Sequence, residues 1–253
     1  MRILAIDTAT GACSVALRRD GRPGYERFAV MPRGHAEALM PMVLGALDAE
    51  HCDFSALDLI AVTVGPGGFT GLRVGLATAR GIALAAGIPC LGVTTLESIA
   101  DAAAITEGRL LVALDSKRGD LYVQAFGQAF GQAFEQGAPM AAPQCLSPLA
   151  AAEIWANRAE HGSLHLAGNG AAALAEALRA VGTEGAIIAG TDYPRAACVA
   201  ACAERRWLAG ERPTLPPAPL YLAPPATGPA TRTQGGAVGG TNAEPPADGD
   251  LSR

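Results

Sequence analysis

The stretch Val62-Thr-Val-Gly-Pro-Gly-Gly-Phe-Thr-Gly-Leu-Arg73 leaves this chain few ways to fold. An apolar strand ends at Val64, a glycine-rich loop turns the backbone, and a helix opens near Thr70 on small residues. A loop of this form can bind an anion, because free N–H groups and the macrodipole at a helix N-terminus both favour negative charge. This one contains no Gly-Lys-Ser/Thr and no lysine at all, so it is not a Walker-type phosphate loop, and Arg73 is its nearest cation. It reads better as a tight corner that launches a small-residue helix.

The elements around that corner set the fold class. Ile3 to Thr8, Cys13 to Arg18 and Tyr25 to Val30 read as strands separated by turns at Gly11 and at Gly21/Pro23. His35 to Ala49 is a helix with Leu39, Met42, Val43 and Leu47 on one face, and Pro41 within it is expected to kink it. Ser55 to Asp58 resembles a capping box for a short helical turn. Leu59 to Val64 is a strand, Thr70 to Ala86 a helix ended by Gly87, Pro89 to Val93 a strand, and Thr95 caps a helix through Ala104. Hairpin-linked strands followed by helix-linked strands require a mixed sheet, antiparallel in one part and parallel in the other.

The second half repeats the plan. Leu110 to Asp115 ends in an aspartate, as Ile3 to Asp7 does, and Leu121 to Phe126 returns from a turn at Lys117–Gly119. A helix opens at Ser147-Pro148. His165 to Ala167 is a strand, followed by Gly168-Asn169-Gly170 and a helix to Ala180, then a strand at Ala186 to Ala189 and a helix from Pro194 to Leu208. Gly168–Gly170 thus corresponds to Gly65–Gly71, and Asp115 to Asp7. The expected domains are 1–105 and 106–223. From Pro224 onward 11 of 30 residues are Pro or Gly and none is aromatic, which predicts a disordered tail. The tandem tetrapeptide Ala125-Phe126-Gly127-Gln128/Ala129-Phe130-Gly131-Gln132 reads as an expansion that lengthens a hairpin.

Composition narrows the function. A net charge of −5 argues against a stand-alone nucleic-acid binder, whose footprint is basic. The apolar start is cut by Asp7, and Arg73 and Arg80 interrupt the most apolar helix, so neither a signal peptide nor a membrane span is expected and the chain reads as cytoplasmic. Six scattered cysteines without a CxxC read as buried free thiols. His161-Gly-Ser-Leu-His165 matches HxxxH in letters, but Gly162 and Ser163 precede a strand, so a shared helix face is not expected and no metal site is predicted. No Ser/His/Asp or Cys/His constellation is legible.

Two groups of residues remain as candidates. Asp7 and Asp115 either hold a metal-bound water near a nucleotide or cap the turns that follow their strands. Gly71, Gly75, Ala79, Ala83 and Gly87 recur every fourth residue and draw a nearly bare ridge, flanked by Leu72, Leu76, Arg80 and Leu84, that either the chain's own sheet or a helix of another subunit can approach closely. With the Leu39/Val43/Leu47 stripe, two such helices per subunit would form a four-helix contact between subunits. Gly75→Leu is then expected to prevent pairing and leave the monomer folded.

Two βββαβαβα units with Asp-ended strands resemble the actin-like/sugar-kinase/Hsp70 (RNase H-like) superfamily. Ile3-Leu-Ala-Ile-Asp7, Arg33-Gly-His35-Ala-Glu37-Ala-Leu39-Met-Pro41, Val64-Gly-Pro-Gly-Gly-Phe-Thr-Gly-Leu-Arg73, Gly92-Val-Thr-Thr-Leu96 and Asp115-Ser-Lys-Arg118 are similar, in order and spacing, to the TsaB (YeaZ) family. That resemblance implies an α/β actin-like fold and a non-catalytic role in forming N6-threonylcarbamoyladenosine at position 37 of tRNAs that read ANN codons. It implies pairing with the catalytic paralogue TsaD, joined by the ATPase TsaE, homodimers when alone, and tRNA contacted only through the complex. The docking face it implies comprises His35, Leu39, Val43, Leu47, Gly71, Leu72, Gly75, Ala79 and Ala83. Asp7, Asp115, Gly168 and Gly170 would mark a vestigial nucleotide cleft, with no cofactor of the chain's own and ATP/Mg only at the level of the complex. The rival readings are an ATP-using enzyme of the same fold, such as a small-molecule kinase, and a metallopeptidase.

Overall fold

The structure is a computed structural model and describes residues 1–127, 139–156 and 163–222. Its first half runs β1 (Arg2–Asp7), β2 (Ala12–Arg19), β3 (Arg22–Val30), α1 (His35–Ala49), a 3-10 turn (Phe54–Ala56), β4 (Leu59–Thr63), α2 (Phe69–Ala86), β5 (Cys90–Val93) and α3 (Thr95–Ala103). The second half runs β6 (Arg109–Asp115), β7 (Leu121–Gly127), β8 (Gln144–Leu146), α4 (Pro148–Ala156), β9 (Leu164–Ala167), α5 (Ala171–Ala180), β10 (Ala186–Ile187) and α6 (Ala196–Leu208). Both halves carry the expected βββαβαβα succession.

The two sheets have the orders β3-β2-β1-β4-β5 and β10-β9-β6-β7-β8. In each half the first strand is central, its hairpin partners are antiparallel on one side, and the crossover strands are parallel on the other. The molecule is thus α/β with mixed sheets, the actin-like arrangement. β1 and β4 are buried almost throughout, which is why they read as continuous apolar runs rather than alternating ones. β3, at an edge, carries Arg22, Pro23, Glu26 and Arg27, which discourage pairing with another chain.

Local chemistry moves several boundaries. α3 is capped by Thr94 rather than Thr95: Thr94 Oγ1 accepts from Glu97 N at 3.0 Å, and Glu97 Oε2 accepts from Thr94 N at 2.7 Å. The expected box at Ser55–Asp58 does not form. The 3-10 turn starts at Phe54 with no side-chain cap, because the Asp58 carboxylate accepts instead from the Arg2 backbone N–H at 2.6 Å. α1 continues through Pro41, whose side is exposed. β8, a three-residue edge strand, carried no periodicity to reveal it.

Each sheet is covered on both faces. α1 and α2 cover one face of the first sheet, burying Leu39, Val43, Leu47, Leu76 and Ala79 against Leu4, Ile6, Ile60 and Val62. α4 and α5 do the same for the second, burying Trp155, Leu174 and Leu178 against Leu111, Val123 and Leu166. Each fully buried leucine contributes roughly 1.5–3 kcal/mol relative to exposure. The remaining faces are covered by exchanged helices. α3 follows the first sheet in sequence but packs Leu96, Ile99 and Ala100 on Leu110, Val112, Leu114 and Phe126 of the second. α6 packs Val199, Ala200 and Ala203 on Ile3, Ala5, Leu59 and Ala61 of the first. Polar links fix α6 there: Arg18 pairs with the buried Glu204 at 2.5 Å, Arg195 with Glu26 at 2.5 Å, and the Ala196 N–H donates to Ser14 Oγ at 2.9 Å. The expected boundary at 105/106 falls between the sheets, while both exchanged helices cross it, and Met1–Ala223 form one compact unit. The stretch 224–253, His161 and the tetrapeptide repeat beyond Gly127 lie outside the described residues.

Candidate functional site

The turns after β1 and β6 face one another across a cleft of about 440 Å³, walled by Thr10, Gly67, Gly68, Asp115, Lys117, Tyr122, Asn169 and Tyr193. Both turns exist because each central strand ends in an aspartate that accepts from the backbone N–H two residues on, Ala9 for Asp7 at 3.1 Å and Lys117 for Asp115 at 2.7 Å. From there the two aspartates diverge.

Asp7 is fully buried and does not line the cleft. Its Oδ1 also accepts from Thr63 Oγ1 at 2.7 Å, and among the described residues its Oδ2 has no partner. Burial pushes its carboxyl up to about 7, against the opposing pull of the Thr63 and Ala9 hydrogen bonds. It ties β1 to β4 from behind the cleft wall. Asp115 does line the cleft, but Lys117 clamps it. The ammonium Nζ donates to Oδ2 at 2.8 Å, and these Lys117 hydrogen bonds hold the carboxyl below the usual carboxylate range.

Gly168 and Gly170 serve packing. A Cβ on Gly168, at φ +93°, would stand 2.2 Å from the Ala113 carbonyl oxygen, and one on Gly170 would stand 2.8 Å from Leu121 Cδ2. The side chain between them, Asn169, is the one that reaches the cleft, and its Oδ1 accepts from the Asp115 N–H at 3.0 Å. Asn169, Lys117, Tyr122 and Tyr193 were not singled out from the sequence. Asn169 carried a local signal in its place between two glycines after a strand, and Lys117 in its place within the family motif that opens at Asp115.

The glycine corner is built against the first turn. A Cβ on Gly67 would stand 2.2 Å from Ala9 O, and the Gly68 N–H donates to that oxygen at 2.7 Å. A Cβ on Gly71 would stand 2.1 Å from Thr8 O, and one on Gly75 would stand 2.4 Å from Thr8 Oγ1, which donates to Gly71 O at 2.7 Å. The small ridge of α2 therefore faces inward, letting the helix sit directly on the β1–β2 turn.

This corrects the expected docking face. Leu39, Val43, Leu47, Leu72, Gly75, Ala79 and Ala83 are all buried within the monomer, and Gly71 is half-buried against Thr8. His35 is half-buried too, its Nε2 3.1 Å from Thr10 O and 3.2 Å from Ala12 O, pinning the start of α1 to β2. The 3.6-residue period located the apolar stripes, but the sheet takes them. Gly75→Leu would collide with Thr8 inside the monomer, so it cannot leave the fold untouched. What faces out is a second apolar surface: Met40 and Leu44 on α1, and Ala77, Gly81, Leu84 and Ala85 on α2, around a depression lined by Met40, Phe54, Gly81, Ile82 and Ala85. Leu84 is 85% exposed.

All six cysteines are free, and burial pushes the Cys90 and Cys202 thiols up to about 12, far from nucleophilic use. Among the described residues no group of three His, Cys, Asp or Glu converges.

Two five-stranded sheets of matching order, with exchanged helices and a cleft between their first hairpin turns, define the actin-like class of α/β proteins. Within that class the family model described as "TsaD: tRNA N6-adenosine threonylcarbamoyltransferase" matches residues 29–201. The tRNA threonylcarbamoyladenosine biosynthesis protein TsaB of Escherichia coli is 44% identical over 124 residues, 48% of this chain and 53% of that protein. The Bacillus subtilis TsaB is 34% identical over 124 residues, 48% of this chain and 53% of that protein. This chain thus spans about half the length of the curated relatives it matches. A Pseudomonas aeruginosa structure described as an uncharacterized protein with similarity to peptidase YEAZ aligns with a TM-score of 0.74 and 30% identity, over 88% of this chain and 99% of that one. This chain belongs to the TsaB (YeaZ) family, within the wider family that the TsaD model describes.

Proposed function

We propose that this chain is an accessory, non-catalytic subunit of the machinery that forms N6-threonylcarbamoyladenosine at adenosine 37 of tRNAs reading ANN codons. It works in the cytoplasm, dimerises with a catalytic TsaD subunit, is joined by the ATPase TsaE, and meets tRNA only through the complex. It carries no cofactor of its own, and ATP and magnesium act at the level of the assembly. The observation that carries this reading is the family match, which includes curated relatives that are themselves TsaB proteins.

The geometry supports it in two ways. Asp7 is spent on the fold, and Asp115, which lines the cleft, is paired with Lys117, so the two strand-end carboxylates do not face the cleft together as the metal-facing pair a kinase would need. The outward α1–α2 surface is apolar, and its charges are segregated: α1 exposes Glu37 and Asp48 and no Lys or Arg, whereas α2 exposes Arg73 and Arg80 and no acid. Two copies related by a two-fold axis would cross α1 over the partner's α2 and set acid against base, which suits the homodimer formed when the chain is alone.

The test is reconstitution. Modified adenosine is measured with the catalytic subunit, the ATPase and tRNA, with and without this chain. Formation at the same rate in its absence rejects the accessory role. Leu84→Asp buries nothing new in the monomer and is expected to leave the thermal midpoint unchanged while weakening heterodimer formation at least about tenfold, as charge placed in an apolar interface core does. Unchanged pairing by analytical ultracentrifugation moves the docking face elsewhere.

A further inference from the structure

The C-terminal segment Pro213–Leu222 runs without regular secondary structure back over the first half of the molecule and ends on the glycine corner. Four of its ten residues are proline (Pro213, Pro216, Pro217, Pro219), so it is stiff and has few N–H groups with which to hold on. Its hold is concentrated at three points. The Leu220 N–H donates to Val64 O at 2.7 Å, at the end of the strand that feeds the corner. The corner leaves room for it, since a Cβ on Gly65 would stand 2.8 Å from Leu220 O, and in β5 a Cβ on Gly92, which would meet Val64 first, would stand 3.0 Å from Pro217 Cβ. Beyond that, Tyr221 stacks on Phe69 with centroids 5.6 Å apart, and its hydroxyl accepts from Arg73 Nε at 3.3 Å, while the Arg73 guanidinium lies 3.5 Å over the Phe69 ring.

Phe69 and Arg73 are the first turns of α2, the helix whose outer face is the docking surface above. The same corner supplies Gly67 and Gly68 to the cleft wall. Between its ends the segment is largely exposed, Leu215 at 78%. A stiff segment held at its tip by one backbone hydrogen bond and an exposed aromatic stack belongs to the parts of a protein that open locally before the core does.

We propose that Pro213–Leu222 is a latch. Seated, it fixes the Gly65–Gly68 corner and the first turn of α2 in the geometry that presents the docking face. Lifted, it frees that corner while the two sheets stay folded. The link from latch to docking rests on the functional reading above; the latch itself does not.

Hydrogen–deuterium exchange on the full chain tests it. In Tyr221→Ala, and in Leu220→Pro, which removes the N–H given to Val64, amides of residues 65–72 are expected to exchange about tenfold faster. Amides of β6, β7 and β9 should be unchanged. Tyr221→Phe, which keeps the stack, should stay near the wild-type rate. Unchanged exchange at 65–72 overturns the latch. So does an equal rise across the whole first half, which would make the segment a general staple. Binding of the same variants to the catalytic subunit should fall about tenfold. Wild-type-like binding beside accelerated exchange would overturn the coupling to docking. Absence of binding by the wild-type chain itself would reject the functional reading and leave the latch judged by exchange alone.

Discussion

Asp7 shows how far a residue's role can depart from its pattern. Placed at the end of an apolar strand, it looks like a group held ready for a ligand, yet it is buried and bonded to Thr63 and Ala9. Its carboxyl is held near 7 in the folded chain by burial, against the ordinary aspartate value of 3.8. A folded value above the unfolded one means the native state binds the proton more tightly. Its favourable contribution is therefore complete below pH 4 and is lost as pH rises through 7. Relative to Asp7→Asn, which cannot ionise, the wild-type chain should lose on the order of 4 kcal/mol of stability between pH 4 and pH 8. Urea denaturation of both proteins at a series of pH values measures this. Parallel stability profiles would mean that Asp7 ionises as an ordinary carboxylate does.

At the scale of the element, α2 is the informative case. Its small residues at every fourth position let the helix axis approach the β1–β2 turn, where Thr8 Oγ1 bonds Gly71 O across the contact. Gly75→Ala places a Cβ 2.4 Å from Thr8 Oγ1, closer than real side chains come, so Thr8 or the helix must shift. The expected loss is about 1–3 kcal/mol, read as a lowered urea midpoint, and restoration by the paired change Thr8→Ala would show that the two side chains compete for one space. Leu84, one face round, tolerates charge in the monomer because none of the described residues covers it.

At the scale of the molecule, the exchanged helices decide cooperativity. α3 completes the second core and α6 the first, so neither sheet keeps both of its covers if the other half unfolds. Unfolding should be a single transition. The two tryptophans report on different cores, Trp155 within the second half and Trp207 against the first. The single-tryptophan variants Trp155→Phe and Trp207→Phe should give coincident fluorescence midpoints in urea. Midpoints separated by more than the shift each substitution causes by itself would show two independently stable halves.

Most of the architecture was legible in the residues, because it is written in local physics. Strand and helix periods, Asp-ended strands followed by hairpins, and a glycine corner at a strand–helix junction give βββαβαβα twice, and the order of motifs gives the family. β8 escaped because three edge residues carry no period. The sites were less legible, because burial is a property of what lies opposite. The stripes Leu39/Val43/Leu47 and Gly71/Gly75/Ala79/Ala83 announce a covered face but not the cover, and the sheet proved to be it. Gly168 and Gly170 announce a close approach, and what approaches is the β6 backbone rather than a ligand, leaving Asn169 to reach the cleft. The sequence by itself determined which segments pair and which faces are apolar. Only the tertiary structure decided which of those faces are already used within the monomer, and that α3 and α6 serve the opposite halves, because both depend on contacts between residues far apart in the chain.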